Sequence, residues 1–199
     1  MDLIYCVLPR VSFFGWEASW GKTLTLDQLQ KRGWPLASRY YLCQRHEESI
    51  DHILLHCTKA RTLWALLFSL FWVQWVVPAT ATVKATLLGW DGSFVGEKRK
   101  GVWRTSLLCL FWTVWKTRSK VVFEEEELLI QRLKNSFVYF LWLETKLFIK
   151  DGLSTLVDFI DWMETCWGWG LGCTSWHPAG EWGVFSSLKP LSRCFGGFF

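Results

Sequence analysis

Apolar residues along this chain recur mostly at the three- and four-residue spacing of helices; the two-residue alternation of strands is weak throughout. The expected class is mainly α. Residues 11–20 read as a short amphipathic helix with Phe13, Trp16 and Trp20 on one side. Thr25 is placed to cap a second helix, Leu26 to Lys31, with Asp27 favouring its positive end and Gly33 stopping it. Ser49 or Asp51 starts a helix carrying Ile50, Ile53, Leu54 and Leu55, and another follows from about Thr58, burying Ala60, Leu63, Trp64, Leu67 and Phe68.

The pattern then breaks. Pro78, alternating Thr and Ala, Gly89, Asp91-Gly92 and Gly96 mark residues 76–100 as a linker. Two longer helices are expected after it, over 101–123 and 125–149. The second has a wide apolar face of Leu129, Leu133, Phe137, Phe140, Leu141, Leu147 and Phe148. A short helix over 154–162 closes the patterned region, 101–163.

From 164 to 199 the periodicity is lost, and Gly, Trp, Phe and Cys are scattered without order. This irregular tail has too few helix formers to order itself and too many aromatics for a solvated linker. It reads as disordered or non-native, as translated non-coding sequence would be, with an aromatic-rich binding tail as the alternative. The composition agrees. The 199 residues are 51% apolar, which excludes global disorder, but 16 are Trp, a load that selection for one compact fold rarely produces.

A net charge of +4 permits nucleic-acid binding without requiring it. Lys98, Arg99, Lys100, Arg104, Lys116, Arg118 and Lys120 form one basic stretch, followed directly by Glu124 to Glu127. Both runs read first as solvated faces. Thr62 to Val83 carries no charge, but its apolar core, Leu63 to Val77, is shorter than the about 20 residues of a membrane span, includes Gln74 and is ended by Pro78. A buried helix is expected there, not a membrane helix. The seven cysteines, at 6, 43, 57, 109, 166, 173 and 194, form no regular framework, and Met1-Asp2 lacks the basic start of a secretory signal. The expectation is an intracellular, nuclear or cytoplasmic, reducing setting without disulfides.

Chemistry concentrates between residues 40 and 57. Cys43, His52 and Cys57 are soft or borderline ligands within fifteen residues, as a tetrahedral Zn2+ site uses, one from a turn and two from a helix. The same residues also fit two buried thiols and a surface histidine. Elsewhere, Gly89-Trp90-Asp91-Gly92-Ser93 reads as a turn, because no carboxylates stand at spacing to join Asp91 in a two-metal site. His177 with Cys166, Cys173 and Cys194 lies in the unpatterned tail and is discounted. No Gly-rich phosphate loop and no acid, base or nucleophile constellation is visible, so an enzyme is not expected.

The spacing around this cluster resembles that of the reverse transcriptase zinc-binding domain of plant LINE-type (non-LTR) retrotransposons: Cys-x2-Cys, eight residues, His, four residues, Cys. The flanks are similar too, in Pro9 to Trp16, Leu24 to Gly33, and Glu48, His52, Cys57, Ala60 and Trp64. The resemblance covers about residues 9–75, and residues 76–163 look like the region that follows this domain in such elements. It implies a small helical zinc-binding-type domain, then a linker and two longer helices. The chain also departs from the family at one position. Tyr40 stands where the first cysteine is expected, and tyrosine is a poor zinc ligand. Cys43-x2-His46 repeats the two-residue spacing of the lost pair, and His56 lies four residues after His52 on the same face of an α-helix. Either histidine is a candidate fourth ligand.

The resemblance implies a non-enzymatic module of a retrotransposon polyprotein that contacts RNA or DNA, with zinc only holding the fold. Arg39, Arg45, Lys59 and Arg61 are the candidate phosphate contacts, and no small-molecule substrate is expected. The competing readings are a helical structural or membrane-associated protein and an expressed remnant without function.

Overall fold

A computed structural model of the chain describes residues 7–36, 39–40, 42–92, 95–123, 129–146, 149, 154–165, 174–176 and 182–184. The fold is mainly helical: α1 (Pro9–Ser19), α2 (Leu26–Lys31), a π-helical turn (His52–His56), α3 (Thr58–Phe71), α4 (Val83–Gly89), α5 (Glu97–Phe123), α6 (Ile130–Thr145) and α7 (Leu156–Thr165). The acidic run, Leu147, Phe148 and most of the tail lie outside the described residues. Two short tail segments, Thr174–Trp176 and Trp182–Val184, pair as antiparallel strands.

The helices meet in one apolar core that runs from Val11 to Met163. α5 is its axis, packing against α1, α3 and α6. α3 buries Ala60, Leu63, Trp64, Leu67 and Phe68 as its spacing predicts, and α6 buries Leu133, Phe137, Val138 and Leu141. α3 stops at Trp72, which adopts the left-handed conformation, after 14 residues. At 1.5 Å per residue that is about 21 Å, short of a hydrocarbon core of about 30 Å. Among the described residues no helix is long and apolar enough to cross a membrane.

Three expectations change. First, α1 faces the other way: it buries Val11, Phe14, Gly15 and Ala18, while Phe13, Trp16 and Trp20 are 59%, 41% and 57% exposed. The inward side is chosen by close packing, since a Cβ on Gly15 would lie 2.5 Å from Leu108 Cδ2 of α5. Second, the stretch read as a linker contains α4 and contributes Val77, Val83, Leu87 and Trp90 to the core. Trp90 stacks on Trp103 at 4.2 Å and donates its indole N–H to the Trp103 carbonyl. Trp64, Trp75, Trp90 and Trp103 thus form one aromatic cluster with Phe68, Phe71 and Phe111, so much of the tryptophan load is structural. Third, the basic stretch is partly internal. Arg99 is buried and donates to the Leu70 carbonyl at the end of α3, Arg104 pairs with Asp91, and Arg118 is buried against Glu48.

The caps are mostly non-local. Thr25 precedes α2, but its hydroxyl is engaged with the Asp27 carboxylate; the Leu26 N–H donates to Glu48 Oε1 at 3.1 Å. The Leu8 N–H at the head of α1 donates to Glu144 Oε2 of α6, and the Val83 N–H of α4 donates to Asp51 Oδ1. Each places a carboxylate at a positive helix end.

Gly92 holds the turn that lays Trp90 on Trp103. Its φ is +73°, and a Cβ there would lie 2.9 Å from Trp103 Nε1 and closer still to Cδ1. Gly92→Ala combines backbone strain with overpacking and is expected to cost about 2–3 kcal/mol in chemical denaturation. A loss below about 0.5 kcal/mol would mean that the indole pair shifts freely.

Candidate metal centre

A hairpin and a helical turn build the centre. Arg39 and Glu47 pair as an antiparallel bridge, and the Tyr40 N–H donates to the His46 carbonyl at 2.9 Å. The chain reverses between them. The Gln44 N–H returns to the Tyr40 carbonyl at 2.8 Å, with Gln44 at φ +52° in the left-handed region. This tight turn carries Cys43.

The second half is the π turn His52–His56. The Cys57 N–H donates to the His52 carbonyl five residues back, at 2.7 Å. In an α-helix positions four apart share a face; widening the turn by one residue brings positions five apart into line. His52 and Cys57 therefore face the same point. His56, aligned with His52 by α-helical spacing, is carried away, and its Nε2 sits 2.9 Å from the Ala81 carbonyl.

The ligand atoms of Cys43, His52 and Cys57 all lie within 4.8 Å of one another, and Cys43 Sγ is 3.2 Å from His52 Nε2. Zn–S and Zn–N bonds of about 2.3 and 2.0 Å place tetrahedral donors about 3.5–3.8 Å apart, so the three need only small shifts to share an ion. Burial, helped by the charges of His46 and His56, pushes the His52 imidazole down to about 4, so it is neutral with a lone pair to give. Burial pushes the Cys57 thiol up, partly offset by the Lys59 and Ala60 N–H groups at the head of α3. A metal must displace that proton, which makes affinity rise with pH.

Tyr40 is fully buried beside this cluster, its ring edge-on to His52 at 5.5 Å between centroids. Burial first, and the neighbouring Cys57 and Glu48 next, push its phenol far up, so it stays protonated and offers no phenolate. His46, across the hairpin from Tyr40, has its ring 5.0 Å from that of His52. Arg39, Arg45 and Arg61 are exposed and Lys59 is half-buried.

Residues 4–64 match the family model for zinc-binding in reverse transcriptase. The segment holding the hairpin, the π turn and the start of α3 is thus a domain of the reverse transcriptase zinc-binding type, and its three remaining ligands are those the structure gathers. No curated protein and no solved structure matches the chain.

Sequence pattern alone does not reveal the π turn or the internal ion pair behind it. Glu48 Oε1 accepts from both the Leu26 N–H and Arg118, the latter 2.5 Å away across 70 residues of sequence. Glu48 joins the zinc-binding-type hairpin to α5. An acid just before the metal-binding turn is the available signal; its partner lies beyond any local pattern.

Proposed function

We propose that this chain is a non-enzymatic zinc-binding-type module of a LINE-type retrotransposon polyprotein of plant origin, and that it contacts nucleic acid. One observation carries the reading: Cys43, His52 and Cys57 converge on a single point within the segment that matches the zinc-binding family. Zinc at that point cross-links hairpin to π turn and takes no part in catalysis. His46 completes the set in place of the missing cysteine, because its ring stands beside His52 on the same hairpin as position 40, whereas His56 is committed to Ala81. Arg39, Arg45, Lys59 and Arg61 supply charge for phosphates, and among the described residues no side-chain ion pair engages them.

Elemental analysis of the full chain should give about one zinc per molecule. Cobalt substitution should give the intense visible bands of a four-coordinate site. His46→Ala should lower zinc affinity at least tenfold and His56→Ala should leave it near wild type. A chain that retains no zinc overturns the metal reading, and a larger loss from His56→Ala overturns the ligand assignment. Binding to nucleic acid should weaken with salt; a log–log slope near zero would remove the phosphate contacts.

A further inference from the structure

The outward face of α1 does not belong to the metal centre. Phe13, Trp16 and Trp20 stand at i, i+3 and i+7, a stripe along one side of the helix about 10 Å long. All three are substantially exposed, although the apolar core is ready to take an α1 face. Phe13 and Trp16 stack at 5.8 Å and 30°, so the rings already form a platform. Two ammonium groups border it. Lys22 Nζ lies 5.7 Å from the centre of the Trp16 ring, and Lys84 Nζ of α4 lies 4.8 Å from that of Trp20. Glu17, the one acidic residue in the helix sequence, sits at the edge of the stripe, next to Arg10 one heptad earlier.

Flat π faces edged by cations are what unpaired bases on a phosphate backbone require: the rings stack on bases of any sequence, and the ammonium groups meet the phosphates. A duplex offers only bases that are already stacked, and a purely apolar partner leaves the lysines without a role. We propose that Phe13, Trp16 and Trp20, with Lys22 and Lys84, form a stacking platform for single-stranded nucleic acid. The site deepens the nucleic-acid reading above and rests on it, but it uses a different face from Arg39, Arg45, Lys59 and Arg61. It binds without base-specific contacts and holds two or three bases.

The test uses the full chain and fluorescence anisotropy with a labelled oligothymidylate, the same strand in duplex form, and vesicles of phosphatidylcholine with phosphatidylserine. The rings are exposed, so Trp16→Ala with Trp20→Ala should keep the wild-type circular dichroism and melting temperature. That variant should bind the single strand at least tenfold more weakly. Lys22→Ala with Lys84→Ala should flatten the salt dependence of the same binding, by about one unit of log–log slope for each phosphate no longer neutralised. Single-strand affinity unchanged in the tryptophan variant overturns the platform. If that affinity falls instead in a variant lacking Arg39, Arg45, Lys59 and Arg61, the nucleic-acid reading stands without it. No binding of either oligonucleotide by wild type overturns both. Ring-dependent capture by vesicles with oligonucleotide binding intact would make the face a membrane-surface anchor and overturn the proposal.

Discussion

Arg118→Met is expected to destabilise the protein by about 3–5 kcal/mol, because it leaves the Glu48 carboxylate buried without its counterion. Both side chains are enclosed, at 7% and 1% exposure, and the ion pair closes to 2.5 Å. Glu48 Oε1 keeps the Leu26 N–H, but one backbone donor does not offset the desolvation of a carboxylate. The Arg118 aliphatic stem and its guanidinium also cover Trp115 at 5.1 Å, an interaction that methionine partly preserves. The loss should therefore report charge more than volume. Adding Glu48→Gln to Arg118→Met should recover part of it, since the orphaned charge is gone and an amide oxygen still accepts from Leu26. Equilibrium denaturation of the four proteins of this cycle checks it. A loss below about 1 kcal/mol, or no recovery in the double variant, would mean that water reaches the pair.

The pair also bears on where the domain ends. A cut at residue 75, as local pattern suggests, removes the partner of Glu48, the Glu144 carboxylate that accepts from Leu8, and the α5 surface on which α1 lies. The zinc-binding-type segment and the helices after it share one core.

What is legible in the sequence is whatever depends on near neighbours. α2 and α3 begin where their spacing and caps suggest, and the buried face of α3 follows the 3.6-residue repeat residue by residue. Cys43, His52 and Cys57 can be found because ligand spacing is a local property. What stays hidden depends on distance along the chain. The stripe Phe13, Trp16, Trp20 is the more aromatic side of α1, yet Gly15 and Ala18 on the other side allow α5 to approach closely, and that approach decides the orientation. Helix α4 looks like a loop because its N-terminal N–H is satisfied by Asp51, 32 residues earlier. The choice between His46 and His56 turns on one extra residue in a helical turn, which no periodicity rule reports.

Tyr40→Cys should raise zinc affinity on the order of a hundredfold, because a structural zinc site binds with about 10–16 kcal/mol and one of four ligands carries roughly 3 kcal/mol of it. The same change removes a fully buried ring. Without metal it should therefore lower stability by about 2–4 kcal/mol through the cavity left beside His52. The two effects have opposite signs. With chelator the variant melts below wild type; with excess zinc the order narrows or reverses, since zinc stabilises only the folded chain. A chelator-competition titration and paired melts read both. Zinc affinity equal to wild type would remove position 40 from the centre. His46 supplies the sharper discrimination. If it substitutes for the missing thiolate, His46→Ala weakens zinc binding in the wild-type background and does little once Cys occupies position 40. An equal loss in both backgrounds would mean that His46 supports the hairpin without binding the metal, leaving three protein ligands in this chain.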